Sequence, residues 1–225
     1  MALRNRMTAQ AGRIASTAAA KARETVAGSD AVVRLLAIVR IDDDRPMSPE
    51  RLLVMLVDAV NGEADRELTD RDVLKAAKKR QRLAGAAGAA GGPVGMQLAS
   101  LYCEAEIICD VAERHRLALE NEELAAHLLV LWNAMPDLAG ARAAIDGSGL
   151  SVFARMAADA HAKVVTKPRE EMTKRDVVRM LWRLRGVAGD VELPGSGSPR
   201  DVLLPGKRVK AFTKAAERQL GVATG

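Results

Sequence analysis

The side chains best suited to metal chemistry are the three histidines, His115, His127 and His161. None stands in the His-Glu-x-x-His pattern of zinc enzymes or the Glu-x-x-His pattern of di-iron bundles. Glu104 and His115 both lie near the apolar stripe of one predicted helix, but their spacing puts them about 16 Å apart, too far to share one ion. We predict that each is a satisfied polar residue of the core, paired with Arg or, in one case, with His127 across a helix interface. The sequence therefore predicts no metal site and no cofactor.

Two further charged features have plain structural explanations. The acidic run 42–44 lacks the alternating ligands, Gly and terminal Glu of an EF-hand, so we expect solvated charge there. Glu123 and His127 are four residues apart, and an exposed pair on one helix accounts for them. Neither feature predicts a ligand site.

Nucleophilic and phosphate-transfer chemistry also lack a motif. Gly147, Ser148 and Gly149 form a turn signal between helices rather than a nucleophile elbow. Cys103 and Cys109 lie in an apolar helix, about 240° apart around its axis, so they cannot bridge each other and are expected to be inert. The Gly-rich run 88–93 lacks the Lys-Ser/Thr of a P-loop. We predict a non-enzymatic protein of a reducing cytoplasm.

The stretch 83–103 carries no charge and is dominated by Ala and Gly. Its length is enough to cross a bilayer as a helix, but large apolar side chains are too sparse for strong insertion. Small residues instead let two helices approach closely. We therefore favour a helical hairpin, buried or touching a membrane, over a true span, with Gly88, Gly91, Gly92 and Pro93 as its packing residues.

A basic cluster directly precedes this hairpin and consists of Lys78, Lys79, Arg80 and Arg82. Basic residues close to an anionic membrane surface contribute about 1 kcal/mol each. We predict that this cluster binds anionic headgroups, with a membrane protein as the other candidate partner. The oligomeric state does not follow from the sequence.

Nucleic-acid binding is the alternative. The net charge of +5 and the basic helix containing Arg175, Arg179 and Arg183 suit phosphate contacts. Aromatic residues make up only 2% of the chain, which leaves little for base stacking. The apolar residues of the same helix also predict a packing role for it.

The elements that position these residues are predicted to be helices. Ala and Leu dominate the 48% apolar fraction, which favours an all-α fold of about eight to ten helices. We expect a basic N-terminal helical extension over 1–30, a helical core domain over 31–188, a linker over 189–206 and a C-terminal basic helix over 207–225. The principal helices within this plan are predicted at 49–61, 94–119, 122–134, 137–145, 151–165, 173–186 and 207–220.

Helix starts are signalled by capping residues. Ser48 before Pro49 places an N-cap ahead of proline at the first helical position. Thr173 with Asp176 three residues on is a variant of the capping box, and Thr69 with Asp72 repeats it. Asn121 is the expected cap of the helix at 122–134.

The C-terminal helix is expected to dock on the core. Lys and Arg surround Val209, Phe212 and Ala216 at helical spacing, and a helix of this length is marginal when isolated in water. We predict that it packs back with Phe212 buried. The acids Glu106 and Asp110, with Glu113, lie opposite the apolar face of their own helix and would provide a complementary charged surface.

Several of these features together resemble the EcsC family of bacterial helical proteins. The shared features are the basic lead-in 75–82, the Gly/Ala hinge 85–93, the long helix from Val94 to Leu119 and the closing run 209–217. Where the family has a Tyr-Gly-aspartate turn after the long helix, this chain reads Glu-Asn-Glu-Glu over 120–123. The resemblance implies an accessory protein with membrane or secretion phenotypes and transfers no catalytic residue.

The sequence thus predicts a cytoplasmic, non-enzymatic, all-α accessory protein, peripheral on the inner face of the membrane, which binds an anionic membrane surface or a membrane protein. The alternative is a soluble interaction or DNA-binding protein in which the Gly/Ala segment is tight core packing.

Overall fold

A computed structural model of the chain describes residues 47–61, 73–75, 77, 92–158, 171–187 and 205–222. The secondary structure in these ranges is helical throughout, so the predicted all-α fold is confirmed for them. Residues 73–75 and 77 are helical as well. The bounded helices are α1 (Pro49–Asn61), α2 (Gly92–Arg114), α3 (Asn121–Leu131), α4 (Leu138–Asp146), α5 (Val152–Ala158), α6 (Lys174–Val187) and α7 (Pro205–Gln219).

Helix α2 lies at the centre of the fold. It contacts α1, α3, α6 and α7, and every residue from 101 to 112 is buried. The predicted apolar face, which includes Leu101 and Ile108, is in the core as expected. Glu106 and Asp110 on the other side are 2% and 0% exposed. Neighbouring helices therefore cover this side of α2 as well, and α7, which was predicted to dock against these acids, is one of the helices that contact α2.

Two predicted helix starts are confirmed in detail. Ser48 Oγ accepts the Arg51 backbone N–H over 3.2 Å at the start of α1. At the start of α6, Asp176 Oδ2 accepts the Thr173 backbone N–H over 3.1 Å, while Thr173 Oγ1 accepts the Asp176 N–H over 3.4 Å. This reciprocal pair is a capping box with Asp in the role usually taken by Glu.

Asn121 has a different role from the predicted one. Glu120 is the N-cap of α3 and makes no side-chain cap bond. Asn121 Oδ1 instead accepts from Asn61 Nδ2 over 2.6 Å, and Asn121 Nδ2 donates to Asp58 Oδ1 over 3.1 Å. Asn121 therefore joins the start of α3 to the end of α1.

The long helix ends earlier than its apolar pattern predicts. Arg116 has a φ of 53°, in the left-handed region. The Leu117 N–H bonds to the Ala112 carbonyl and the Arg116 N–H to the Glu113 carbonyl, both over 2.9 Å. These two bonds form a Schellman motif, which stops the helix without the glycine that normally announces one.

The Gly/Ala hairpin is described only at its second half. Gly92 and Pro93 belong to the first turn of α2 and do not precede it, a position in which proline loses no helical hydrogen bond. Gly88 and Gly91 lie outside the described residues. Cys103 and Cys109 are both buried and form no disulfide with each other, as predicted. Among the described residues, no helix is long and apolar enough to cross a bilayer.

Helix α7 packs on the core as predicted. Phe212 is 1% exposed, and Val209 and Ala216 are buried beside it. The helix lies against α2 and α3. It begins at Pro205, inside the range predicted as linker. The predicted N-terminal extension, 1–30, lies outside the described residues.

Candidate anion-binding surface

Among the side chains of α7 that the structure describes, apolar and basic residues lie on opposite faces. Lys210, Lys214 and Arg218 are all exposed and follow one another at intervals of four residues. This spacing places them in a strip along the helix that is about 12 Å long. We call these three residues the basic face. Its geometry suits an extended array of negative charges better than a single small anion.

The acidic residue of the same helix, Glu217, faces the core instead of the basic face. Glu217 Oε1 lies 3.6 Å from Arg114 Nη1 at the end of α2, and both side chains are mostly buried. The ion pair reverses the charges predicted for this interface, since the base comes from α2 and the acid from α7. Because Glu217 pairs inward, its charge does not interrupt the basic face.

Helix α6 presents a shorter basic strip. Arg175 and Arg179 are exposed one turn apart, while Val177, Val178 and Leu181 are buried on the other side of the helix. The predicted packing role of α6 is therefore confirmed, and the two arginines lie on its exposed side. Arg183 lies in α6, but its side chain is outside the described residues, as are the whole of Lys78, Lys79, Arg80 and Arg82.

The structure also assembles a polar cluster that the sequence pointed to only in part. Arg142 Nε donates to Glu123 Oε2 over 2.7 Å, and Arg142 Nη2 donates to Glu123 Oε1. His127 Nε2 lies 3.5 Å from Glu123 Oε1. His127 is 6% exposed, so the expectation of an exposed helical pair was wrong for it. Arg142 comes from α4, and no sequence spacing links it to α3.

Burial and charge set the titration of this cluster. The hydrogen bond from Arg142 holds the pKa of Glu123 below its ordinary value of 4.5. Burial lowers the pKa of His127 below its ordinary value of 6.5, against the opposing attraction of Glu123. His127 is therefore held neutral near pH 7, which is the form expected of a core residue.

Glu104 is also a core residue, as predicted, and a tryptophan is among its partners. Trp132 Nε1 donates to Glu104 Oε2 over 2.8 Å, and both side chains are buried. Among the described residues, no group of three or more His, Cys, Asp or Glu side chains could hold a metal ion.

Comparisons with known proteins add no relative from which a role could be transferred. No protein-family model, no curated protein and no solved structure matches the chain. The resemblance to the EcsC family therefore stays a prediction.

Proposed function

We propose that this chain is a non-enzymatic accessory protein that attaches reversibly to an anionic membrane surface. The observation that carries the proposal is the basic face, which α7 holds outward while Phe212 and Glu217 fix the helix to the core. A docked helix presents its charges in a fixed array, so binding does not have to order it first. The resemblance to EcsC-like proteins supports the same function.

The expected strength is modest. Basic residues at an anionic leaflet contribute about 1 kcal/mol each, so the basic face alone provides about 3 kcal/mol. The predicted cluster Lys78, Lys79, Arg80 and Arg82 would roughly double this. Such energies produce reversible recruitment that salt weakens, because the attraction decays over about 8 Å at physiological ionic strength. We place the protein at the cytoplasmic face, where anionic lipids are concentrated.

Vesicle flotation tests the proposal directly. Full-length protein should float with phosphatidylcholine vesicles that contain phosphatidylglycerol, and should stay behind with pure phosphatidylcholine. Reversing the basic face with Lys210→Glu, Lys214→Glu and Arg218→Glu should abolish flotation. A matched control reverses three exposed bases elsewhere, Arg51, Arg116 and Arg179, and so changes the net charge equally. Equal loss in both triple variants would show dependence on net charge alone and contradict the proposal.

A DNA-binding function is the second candidate, and the exposed pair Arg175 and Arg179 favours it. In that case a DNA duplex should bind with an affinity that falls steeply with salt. Replacing both arginines with Ala should remove that binding, while the basic-face variant should keep it. If the protein does not float with vesicles and binds DNA in this arginine-dependent way, the DNA-binding proposal replaces the membrane proposal.

A further inference from the structure

A cavity of about 450 Å³ opens between the start of α1 and the loop that joins α4 to α5. Its volume lies in the range of small-molecule sites, about 300–1,000 Å³. Helices α1, α3 and α4 and the loop before α5 form it, so it is separate from the basic face on α7. A ligand bound in this cavity would therefore not contact the basic face.

One wall of the cavity is a nearly buried carboxylate. Glu50 is 6% exposed, and its Oε1 accepts the Val152 backbone N–H over 2.7 Å. This bond neutralises the positive end of α5 from within the protein. A carboxylate can accept about four hydrogen bonds, so the bond from Val152 leaves Glu50 with further acceptor capacity at the cavity wall.

The charges around the cavity favour a cation. Glu50 and Glu122 line it against one base, Arg51. An anion would face both carboxylates, and Ser48 already caps the start of α1 by accepting the Arg51 N–H. A cation would meet two carboxylates, and a carboxylate accepts strong hydrogen bonds from an ammonium group.

The apolar part of the lining defines the rest of the ligand. Val54, Ala144 and Ile145 contribute the hydrocarbon surface of the cavity. A bare metal ion would not use that surface, and the described residues offer no group of three acidic, His or Cys ligands. We propose that the cavity binds a small organic cation, a primary ammonium on a short alkyl chain, with the ammonium on Glu50 and Glu122 and the chain against Val54 and Ile145.

Paired probes of one shape and opposite charge test this proposal. n-Butylammonium is titrated into the full-length protein and followed by backbone amide shifts in NMR, with n-butyrate as the matched anion. The ammonium should give saturable shifts at the cavity residues, and butyrate should not. Saturable binding of butyrate at the same residues, or no saturable binding of either probe, overturns the proposal.

Charge-neutralising variants test whether the carboxylates of Glu50 and Glu122 bind the ammonium group. Glu122→Gln should weaken n-butylammonium binding by up to about fivefold, since the amide oxygen can still accept a hydrogen bond but no longer carries the charge that attracts the ammonium. Glu50→Gln should do the same and still fold, because the amide oxygen can accept the Val152 N–H. Glu120→Gln removes the same charge next to Glu122 but outside the cavity lining, and should bind like the parent. Equal affinity in all three variants would overturn the proposal. Vesicle flotation by these variants stays normal whichever way this test falls, since the basic face is untouched.

Discussion

Trp132 and Glu104 are joined by a buried hydrogen bond in which the indole Nε1 donates to carboxylate Oε2 over 2.8 Å. Trp132 is the C-cap residue of α3, and Glu104 lies on the central helix α2. The bond therefore fixes the end of one helix against the middle of another. The bond also satisfies a carboxylate that lies inside a mostly apolar core, so breaking the bond should lower the free energy of unfolding.

Trp132→Phe tests that bond. The substitution keeps an aromatic ring in the core but removes the donor, so we expect the free energy of unfolding to fall by about 2–4 kcal/mol from the lost bond and the smaller ring. Urea unfolding followed by circular dichroism measures it. Combining Trp132→Phe with Glu104→Gln in a double-mutant cycle isolates the pair, with an expected coupling of about 1–3 kcal/mol. Additive effects would show that the bond adds little stability.

Phe212→Ala tests how α7 is held. Phe212 is almost fully buried, so its truncation should lower the free energy of unfolding by about 3–5 kcal/mol. Limited proteolysis should then release a C-terminal fragment containing α7 that stays bound in the parent protein at low salt. Lys214→Ala, on the exposed face of the same helix, should change stability by less than about 0.5 kcal/mol. Equal protease sensitivity in both variants would mean that Phe212 does not anchor the helix.

Spacing along the chain predicted the individual helices well. The apolar residues of α1 and the caps at Ser48 and Thr173 are local signals, and local physics decides them. Phe212 was also predicted correctly, because an amphipathic helix of this length needs a partner surface. These predictions depend on one segment at a time.

Features that depend on several segments were predicted less well. Glu106 and Asp110 follow a polar periodicity, yet both are almost fully buried, because several helices pack around this part of α2. The spacing of polar and apolar residues defines the faces of a single helix, but it does not predict how many other helices pack around it. For the same reason the contact of Glu123 with Arg142 and the lining of the cavity around Glu50 carried no sequence signal, since each joins different helices.

Acidification should destabilise the protein in two stages. The pKa of His127 is lowered in the folded state, mainly by burial, so below pH 6.5 the unfolded chain binds this proton more readily. Stability therefore falls as pH drops through 6.5 and levels off below the folded pKa. The pKa of Glu123 is lowered by Arg142, so its contribution is present above pH 4.5 and is lost as pH falls below that value.

His127→Leu separates these stages. The variant removes the buried titrating group and its unpartnered Nδ1 atom, so the fall in unfolding free energy just below pH 6.5 should become shallower. The fall below pH 4.5 should remain, because Glu123 keeps Arg142. Urea unfolding at closely spaced pH values measures both. An unchanged slope near pH 6 would show that His127 is not responsible for it.

Arg116→Gly should stabilise the protein. Arg116 holds a φ of 53° in the Schellman motif that ends α2, a conformation that glycine adopts without the steric cost of a β-carbon. The added freedom of glycine in the unfolded chain offsets part of this gain, so we expect an increase of about 0.5–1 kcal/mol in the free energy of unfolding. Urea unfolding at neutral pH measures it.

Gly221 provides the matched reverse experiment. It has a φ of 70° at the end of α7, and its N–H bonds to the Arg218 carbonyl over 3.1 Å while the Val222 N–H bonds to the Glu217 carbonyl over 2.9 Å. This is the same motif with glycine in place, and an added β-carbon would meet no atom within 4 Å. Gly221→Ala should therefore lower the unfolding free energy by about 1 kcal/mol through backbone conformation alone. If Arg116→Gly lowered stability as well, the side chain of Arg116 would have to contribute more than its left-handed backbone costs.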